Sequence, residues 1–300
     1  MGNPIVPCIW LDDQAEAAGA CYAGLFPGSR VVTTSHYPDD ADNPSGKPRG
    51  SVLTVEVEVA GLRFTLLNGG PRFRPNPSVS FFVLVDDAAE VDRLHGALAA
   101  GGHDLMELGS YPWSERYAWV ADRWGVTWQV MLVGERPPAR IVPSLMFVGD
   151  QLGHADEAMR FYTSIFPDSR IEQVQRFAPG QGPDQGVMHA RFVLAGEHLA
   201  AMDGPGPHPF RFDEGLSLQV RCADQAEVDR YWDQLVAGGG SHGPCGWLKD
   251  RFGVSWQVTP SQVSSWMTST DRAARDRAFA AMMKMSKPDV AALERAFAGT

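Results

Sequence analysis

The chain has 300 residues, 44% hydrophobic and 21% charged, enough apolar material for one large domain or two ordinary ones. Its 36 acidic against 26 basic residues give a formal charge of −10, which argues against a nucleic-acid or anionic-membrane partner. No run approaches the roughly 20 continuous apolar residues of a membrane span, the first residues lack a secretory pattern, and the four dispersed cysteines form no CxxC pair. A reduced, cytoplasmic protein is expected.

In chain order, residues 5–11 read as a short apolar strand and 13–26 as an alanine-rich helix stopped by Pro27. Residues 31–36 read as a strand and 38–50 as a polar loop. Val55-Glu-Val-Glu-Val59 alternates with the period of a half-buried strand, and Ala60-Gly61 can make the tight turn into a further strand over 62–67. A β-rich run at 80–85 is followed by Asp86-Asp87 at an N-cap position, a helix over 88–100 and a Gly101-Gly102 stop. Strands are expected at 104–109, 116–121 and 126–133. This order is two β-α-β-β-β units.

The same order then returns. Cys21-Tyr-Ala-Gly-Leu-Phe-Pro-Gly-Ser-Arg-Val31 recurs as Phe161-Tyr-Thr-Ser-Ile-Phe-Pro-Asp-Ser-Arg-Ile171, and Glu90-Val-Asp-Arg93 as Glu227-Val-Asp-Arg230. Trp119-Val-Ala-Asp-Arg-Trp-Gly-Val-Thr-Trp-Gln-Val130 recurs as Trp247-Leu-Lys-Asp-Arg-Phe-Gly-Val-Ser-Trp-Gln-Val258, with eight of twelve positions identical. Three blocks in one order make a tandem duplication. The proline-containing stretch 134–140 is the natural linker. The organisation expected is a first domain over 1–134, a second over 141–262 and a helical tail over 263–300. In the tail, 271–285 is helical, Ser286-Lys-Pro-Asp289 resembles a capping box, and Val290, Leu293 and Phe297 share one face of a closing helix ended by Gly299. The tail reads as packing on the domains or on a second subunit, with a Met-rich lid over a pocket as the alternative.

Paired β-α-β-β-β units resemble the vicinal oxygen chelate superfamily, which includes glyoxalase I, the fosfomycin- and bleomycin-resistance proteins and extradiol dioxygenases. Phe161-Tyr-Thr-Ser-Ile-Phe-Pro, the Cys245-Gly-Trp-Leu-Lys-Asp-Arg-Phe-Gly-Val-Ser-Trp-Gln-Val block and Ala281-Met-Met-Lys-Met look like its PhnB-like branch, often labelled 3-demethylubiquinone-9 3-methyltransferase. The resemblance implies an α+β fold: a tandem of four βαβββ units forming two cup-like sheets, plus C-terminal helices. It also implies an intramolecular pseudo-dimer of the usual single-domain form, with a homodimer as a further assembly. In copy one, Tyr117-Ala118-Trp119 replaces the Cys-Gly-Trp triplet.

The superfamily draws its metal ligands from the first and fourth strand of each unit. Aligning each copy on that pattern, as one cup per copy, yields Pro7, Asn68, Ser80 and Gln129 in copy one, and Pro143, Asp203, Ser217 and Gln257 in copy two. Proline has no donor atom and a neutral hydroxyl is a weak ligand, so no metal or other cofactor is expected; the alternative is a divalent metal in copy two on Asp203 and a histidine. Alternation along a strand sends Gln129 and Gln257 to the cup and Trp128 and Trp256 to the core. The expected ligand pockets are Trp10, Asn68, Ser80, Trp119 and Gln129 in copy one, and Met146, Asp203, Ser217, Trp247 and Gln257 in copy two, with aromatic walls and orienting hydrogen-bonding groups. Cys245, near His242, is a weaker candidate nucleophile against the plainer reading of a buried thiol. Arg72, Arg74 and Arg211 could hold an anionic group or simply be solvated.

The resulting expectation is a protein that binds a small, partly apolar molecule. A metal-dependent lyase, isomerase or dioxygenase of glyoxalase type and a structural protein with self-filled cups are the alternatives. Methyl transfer is disfavoured, since no glycine-rich turn joins a strand to a helix.

Overall fold

The computed structural model describes residues 5–39, 45–135 and 139–300. The amino-terminal tetrapeptide, part of the expected 38–50 loop and the centre of the expected 134–140 linker lie outside the described residues.

Four β-α-β-β-β units follow one another. The first holds β1 (Ile5–Leu11), α1 (Ala15–Leu25), β2 (Arg30–His36), β3 (Val52–Val59) and β4 (Leu62–Asn68). The second holds β5 (Val79–Val85), α2 (Ala88–Ala99), β6 (His103–Tyr111), β7 (Ser114–Ala121) and β8 (Thr127–Leu132). The third comprises β9 (Ile141–Phe147), α3 (Ala155–Ile165), β10 (Arg170–Arg176), β11 (Val187–Leu194) and β12 (Glu197–Asp203). The fourth comprises β13 (Leu216–Cys222), α4 (Gln225–Leu235), β14 (Ser241–His242), β15 (Trp247–Lys249) and β16 (Ser255–Pro260). The α+β character and the four-unit duplication are as the sequence predicts, and Asp87 caps α2 by accepting from the Ala89 amide.

The pairing of units differs from the one-cup-per-copy expectation. One eight-stranded sheet runs β14-β15-β16-β13-β1-β4-β3-β2, and the other β10-β11-β12-β9-β5-β8-β7-β6. Each sheet therefore takes one unit from each copy: β1 pairs antiparallel with β13, with Cys8 opposite Ser217, and β5 pairs antiparallel with β9, with Ser80 opposite Ser144. The reason lies in the packing: within a copy the two units sit on different sheets and share one core, with Phe64 of β4 5.0 Å from Phe81 of β5.

That contact lies inside the main core, which fills the space between the sheets and under α1–α4. Alternate residues of every central strand point into it: Ile5, Ile9 and Leu11 on β1, Phe64 and Leu66 on β4, and Trp128 and Val130 on β8. A buried carboxylate organises each copy. Asp122 accepts from the Tyr22 hydroxyl (2.7 Å), Trp128 Nε1 (3.0 Å) and the Trp124 and Val126 amides. Asp250 repeats this with Tyr162 (2.6 Å), Trp256 (2.9 Å) and the amides of Phe252 and Val254. The two most recognisable repeated motifs are thus one structural device, linking a helix on one sheet to a hairpin on the other.

The tail forms α5 (Gln262–Met267), α6 (Arg272–Met282) and α7 (Val290–Ala298). Helix α5 lies in the expected helical tail, ahead of the helix expected over 271–285. The N-cap of α7 is Asp289, which accepts from Ala292 N, whereas Ser286 donates to the Gly243 carbonyl. Gly299 ends the helix in the left-handed conformation, as expected. The three helices lie across the concave face of the first sheet, forming a second apolar cluster of Tyr37, Leu53, Trp266, Met267, Phe279 and Leu293.

Candidate functional site

The inner face of each sheet consists of the residues that alternate with the core positions. On the first sheet these are Cys8 and Trp10 of β1, Thr65 and Leu67 of β4, Ser217, Gln219 and Arg221 of β13, and Gln257 of β16. Polar atoms of three of these strands, β4, β13 and β16, form a chain. Thr65 Oγ1 donates to Gln219 Oε1 (2.8 Å), Gln219 Nε2 to Gln257 Oε1 (3.1 Å), and Gln257 Nε2 to Ser217 Oγ (2.8 Å). The buried Cys8 thiol beside them is pushed up to about 11 by desolvation, against the hydrogen bonds of Gln257 and Ser217. Further along, Arg221 Nη2 donates to Glu56 Oε1 at 2.7 Å, and Arg63 lies 3.5 Å from the other oxygen of the same carboxylate.

Above this polar floor is a cavity of about 800 Å³, roofed by Val263, Met267, Phe279, Met282 and Met283 of the tail. Its aromatic wall is continuous: Phe73 packs edge-on against Trp10 (5.1 Å), and Trp10 against Trp247 (5.9 Å). Trp10 is fixed by donating from Nε1 to the Gly70 carbonyl (2.7 Å), and a Cβ on Gly69 would sit 2.2 Å from its ring. Asn68-Gly-Gly-Pro71 is therefore a seat for an indole. The roof is strapped to β15. Cys245 N donates to Met285 O and Gly246 N to Ser286 O, both at 2.8 Å. This turn needs positive φ at both residues (56° and 82°), and a Cβ at Gly246 would meet the Val258 carbonyl at 2.4 Å.

The second cup is filled instead. Tyr117, at the position of Cys245, is 3% exposed and donates to Gln129 Oε1 (2.6 Å), while Gln129 Nε2 donates to Ser80 Oγ (2.8 Å). Phe82, Val142 and Ala200 are buried beside it, with Leu84, Met106, Trp119, Met131 and Met202 packed on them. Where the first cup has Gln219 and Arg221, this one has Phe82 and Leu84. Ser144 Oγ and Trp119 Nε1 are buried here with no hydrogen-bond partner among the described residues.

The pocket residues expected from sequence are therefore regrouped. Trp10, Ser217, Trp247 and Gln257 come together in the first cup; Ser80, Trp119, Gln129 and Met146 share the inner face of the second. Asn68 and Asp203 belong to neither, because each sits on a core-facing position at the end of its strand and caps a helix. Asn68 Oδ1 accepts from Ala15 N (2.9 Å), and Asp203 accepts from Gly153, Ala155 and Val187 amides. Pro7 and Pro143 are out of phase by one: the inner residues are Cys8 and Ser144, a parity readable from Ile5, Ile9 and Leu11. Thr65, Gln219, Arg221 and Glu56 went unselected, and their signal was the same alternation; the methionine roof corresponds to the Met-rich lid that was the alternative for the tail. Cys245 lines the cavity with its thiol 3.6 Å from Met283 Sδ, and burial raises its pKa. His242 is stacked on Trp232 at 4.4 Å with Nε2 3.2 Å from that residue's carbonyl, so it is engaged away from the thiol. Arg211 is absent from the cavity lining, whereas Arg72 is part of it.

The family model described as 3-demethylubiquinone-9 3-methyltransferase matches residues 3–131 and again residues 139–259. The chain belongs to this family. Among solved structures, the Bacillus cereus protein titled putative 3-demethylubiquinone-9 3-methyltransferase, PhnB protein, is 31% identical over 43% of this chain and 98% of that one, with a TM-score of 0.39. Glyoxalase I from Zea mays is 11% identical over 85% of this chain and 91% of that one, with a TM-score of 0.53, a likeness of fold. No curated protein matches.

The superfamily's metal pattern does not fit these residues. At the inner positions the first cup offers Cys8, Thr65, Ser217 and Gln257, and the second Ser144, Ala200, Ser80 and Gln129; the hydroxyl and amide groups are largely committed to one another. Among the described residues no three of His, Cys, Asp or Glu converge. Asp203 is turned to backbone amides, while His189, the nearby histidine, packs edge-on against Phe82 at 5.6 Å, its pKa lowered by burial and by Arg191. The described residues also contain no helix long and apolar enough to cross a membrane.

Proposed function

We propose that this PhnB-like chain binds one small, partly apolar molecule in the first cup, under the C-terminal helices, without a resident metal. The observation that carries this reading is the contrast between the cups. Built on one plan, one is filled by Tyr117 and Phe82, while the other keeps about 800 Å³ between a polar floor and a methionine roof. That combination, apolar walls with a few fixed hydrogen-bonding groups, suits a drug-sized ligand. Methionine suits a roof that must fit an irregular shape. The second cup supports the structural reading, with its side chains serving as core.

The family's methyltransferase label finds no support in the residues: the glycine-rich segments open no helix after a strand, as a nucleotide site of the doubly wound kind requires. Native mass spectrometry of the purified protein tests the proposal. The expected result is a single small-molecule adduct per chain, lost in Gly69→Trp, with well under one transition metal per chain by elemental analysis. Near-stoichiometric metal, or no adduct and no binding of any apolar probe, would overturn it.

A further inference from the structure

We propose that the first cup selects a singly charged amphipathic anion: an apolar or aromatic body carrying one carboxylate- or sulfonate-type head. The inference rests on the binding role proposed above and adds the charge of the ligand. The protein as a whole carries a formal charge of −10. Among the described residues, the ionic side chains lining the cavity reverse that balance, with Arg72, Arg221 and Lys249 against Glu56 and Glu214, an excess of one positive charge.

The excess resides at the mouth. Deep in the cup, Arg221 is neutralised by Glu56 at 2.7 Å, and at the mouth Lys249 is held by Glu214 at 3.0 Å. Arg72 has no carboxylate within ion-pair distance among the described residues. Its guanidinium instead lies 5.1 Å from the centre of the Phe73 ring, the outer member of the Phe73–Trp10–Trp247 wall. An aromatic wall ending in a guanidinium that pairs with no carboxylate among the described residues presents an apolar surface with a cation at its rim. A ligand body lying along the indoles would place its head beside Arg72, where the guanidinium fork can grip two oxygens. A neutral ligand would leave that charge unused, and a cationic one would meet it.

The test compares two probes of one shape: 1-anilinonaphthalene-8-sulfonate, an anion, and N-phenyl-1-naphthylamine, its neutral counterpart. Dissociation constants are read by fluorescence for the whole protein, Arg72→Glu and Gly69→Trp. The expected result is at least tenfold tighter binding of the sulfonate despite its greater polarity, a tenfold loss in Arg72→Glu with the neutral probe within twofold, and loss of both probes in Gly69→Trp. Octanoate should displace the sulfonate at lower concentration than octanol. Arg72 is exposed, so its replacement leaves the fold intact, and urea midpoints check this. Equal binding of both probes with no effect of Arg72→Glu would overturn the charge selection and leave the binding role standing. Binding of neither probe, or binding unchanged in a folded Gly69→Trp, would overturn both.

Discussion

Cys8 and Ser217 face each other across the seam between β1 and β13, 209 positions apart in the chain and in the same cup. The pairing makes the two copies interdependent, since neither eight-stranded sheet can form from one copy alone.

Separately produced fragments 1–135 and 139–300 should therefore reassemble. Co-expressed, they are expected to co-purify as a one-to-one complex by size exclusion with light scattering. Each alone should self-associate or precipitate, because its seam strands expose unpaired backbone and apolar faces. A monomeric, cooperatively folded single fragment would contradict the crossed topology.

The buried Asp250 should write a signature into the pH dependence of stability. Burial pushes its carboxyl up to about 6 against the pull of its four hydrogen-bond donors, whereas an unfolded chain titrates near ~3.9. The folded state thus holds this proton more tightly. That contribution is full below about pH 4 and is lost as pH rises to about 6. The shift corresponds to about 3 kcal/mol. In urea titrations, the wild-type unfolding free energy minus that of Asp250→Asn should fall by about this amount between pH 4 and pH 6.5 and stay level above. A difference independent of pH would show that the carboxyl is not titrating in this window. Asp250→Ala, which strands the Tyr162 hydroxyl and Trp256 Nε1, should cost about 3 kcal/mol or more at any pH.

The thiols should be sluggish. Cys8 and Cys222 are buried and pushed up to about 11 and about 12, and Cys245 is raised as well, each chiefly by desolvation. At pH 8 iodoacetamide should leave Cys8 and Cys222 unmodified in the native protein and label Cys245 at least tenfold more slowly than a cysteine peptide, as read by peptide mass mapping. Rapid alkylation of Cys245 would restore it as a nucleophile.

The seat of Trp10 predicts a local effect at the cavity mouth. In Gly69→Ala the new methyl must displace the indole, breaking its bond to the Gly70 carbonyl at a cost of about 1–3 kcal/mol. Intrinsic tryptophan emission should shift to the red and probe affinity should fall severalfold, while Gly204→Ala, the matching position beside Met146, should leave probe affinity unchanged. Equal loss in both would place the probe elsewhere.

The units, their order and their core-facing tryptophans were legible because a repeated motif and strand alternation are local signals. Gln129 and Gln257 fell on the inner faces for that reason. The partner of each strand was not legible, since β1 is as apolar opposite β13 as it would be opposite β5. Asn68 and Asp203 misled because a polar residue ending a strand looks alike whether it faces a ligand or caps the next helix; only their acceptance from Ala15 and Ala155 amides separates the two. The roof was half visible. Methionine density marks adaptable packing, but nothing local says which cup it covers.

Crossed sheets have an evolutionary consequence. In a symmetric dimer of identical subunits every substitution strikes both cavities at once, so filling one abolishes the other. Fusion into a single chain breaks that symmetry. Tyr117 could close one cup while Cys245 kept its counterpart open, leaving the sealed half free to act as scaffold for the open one.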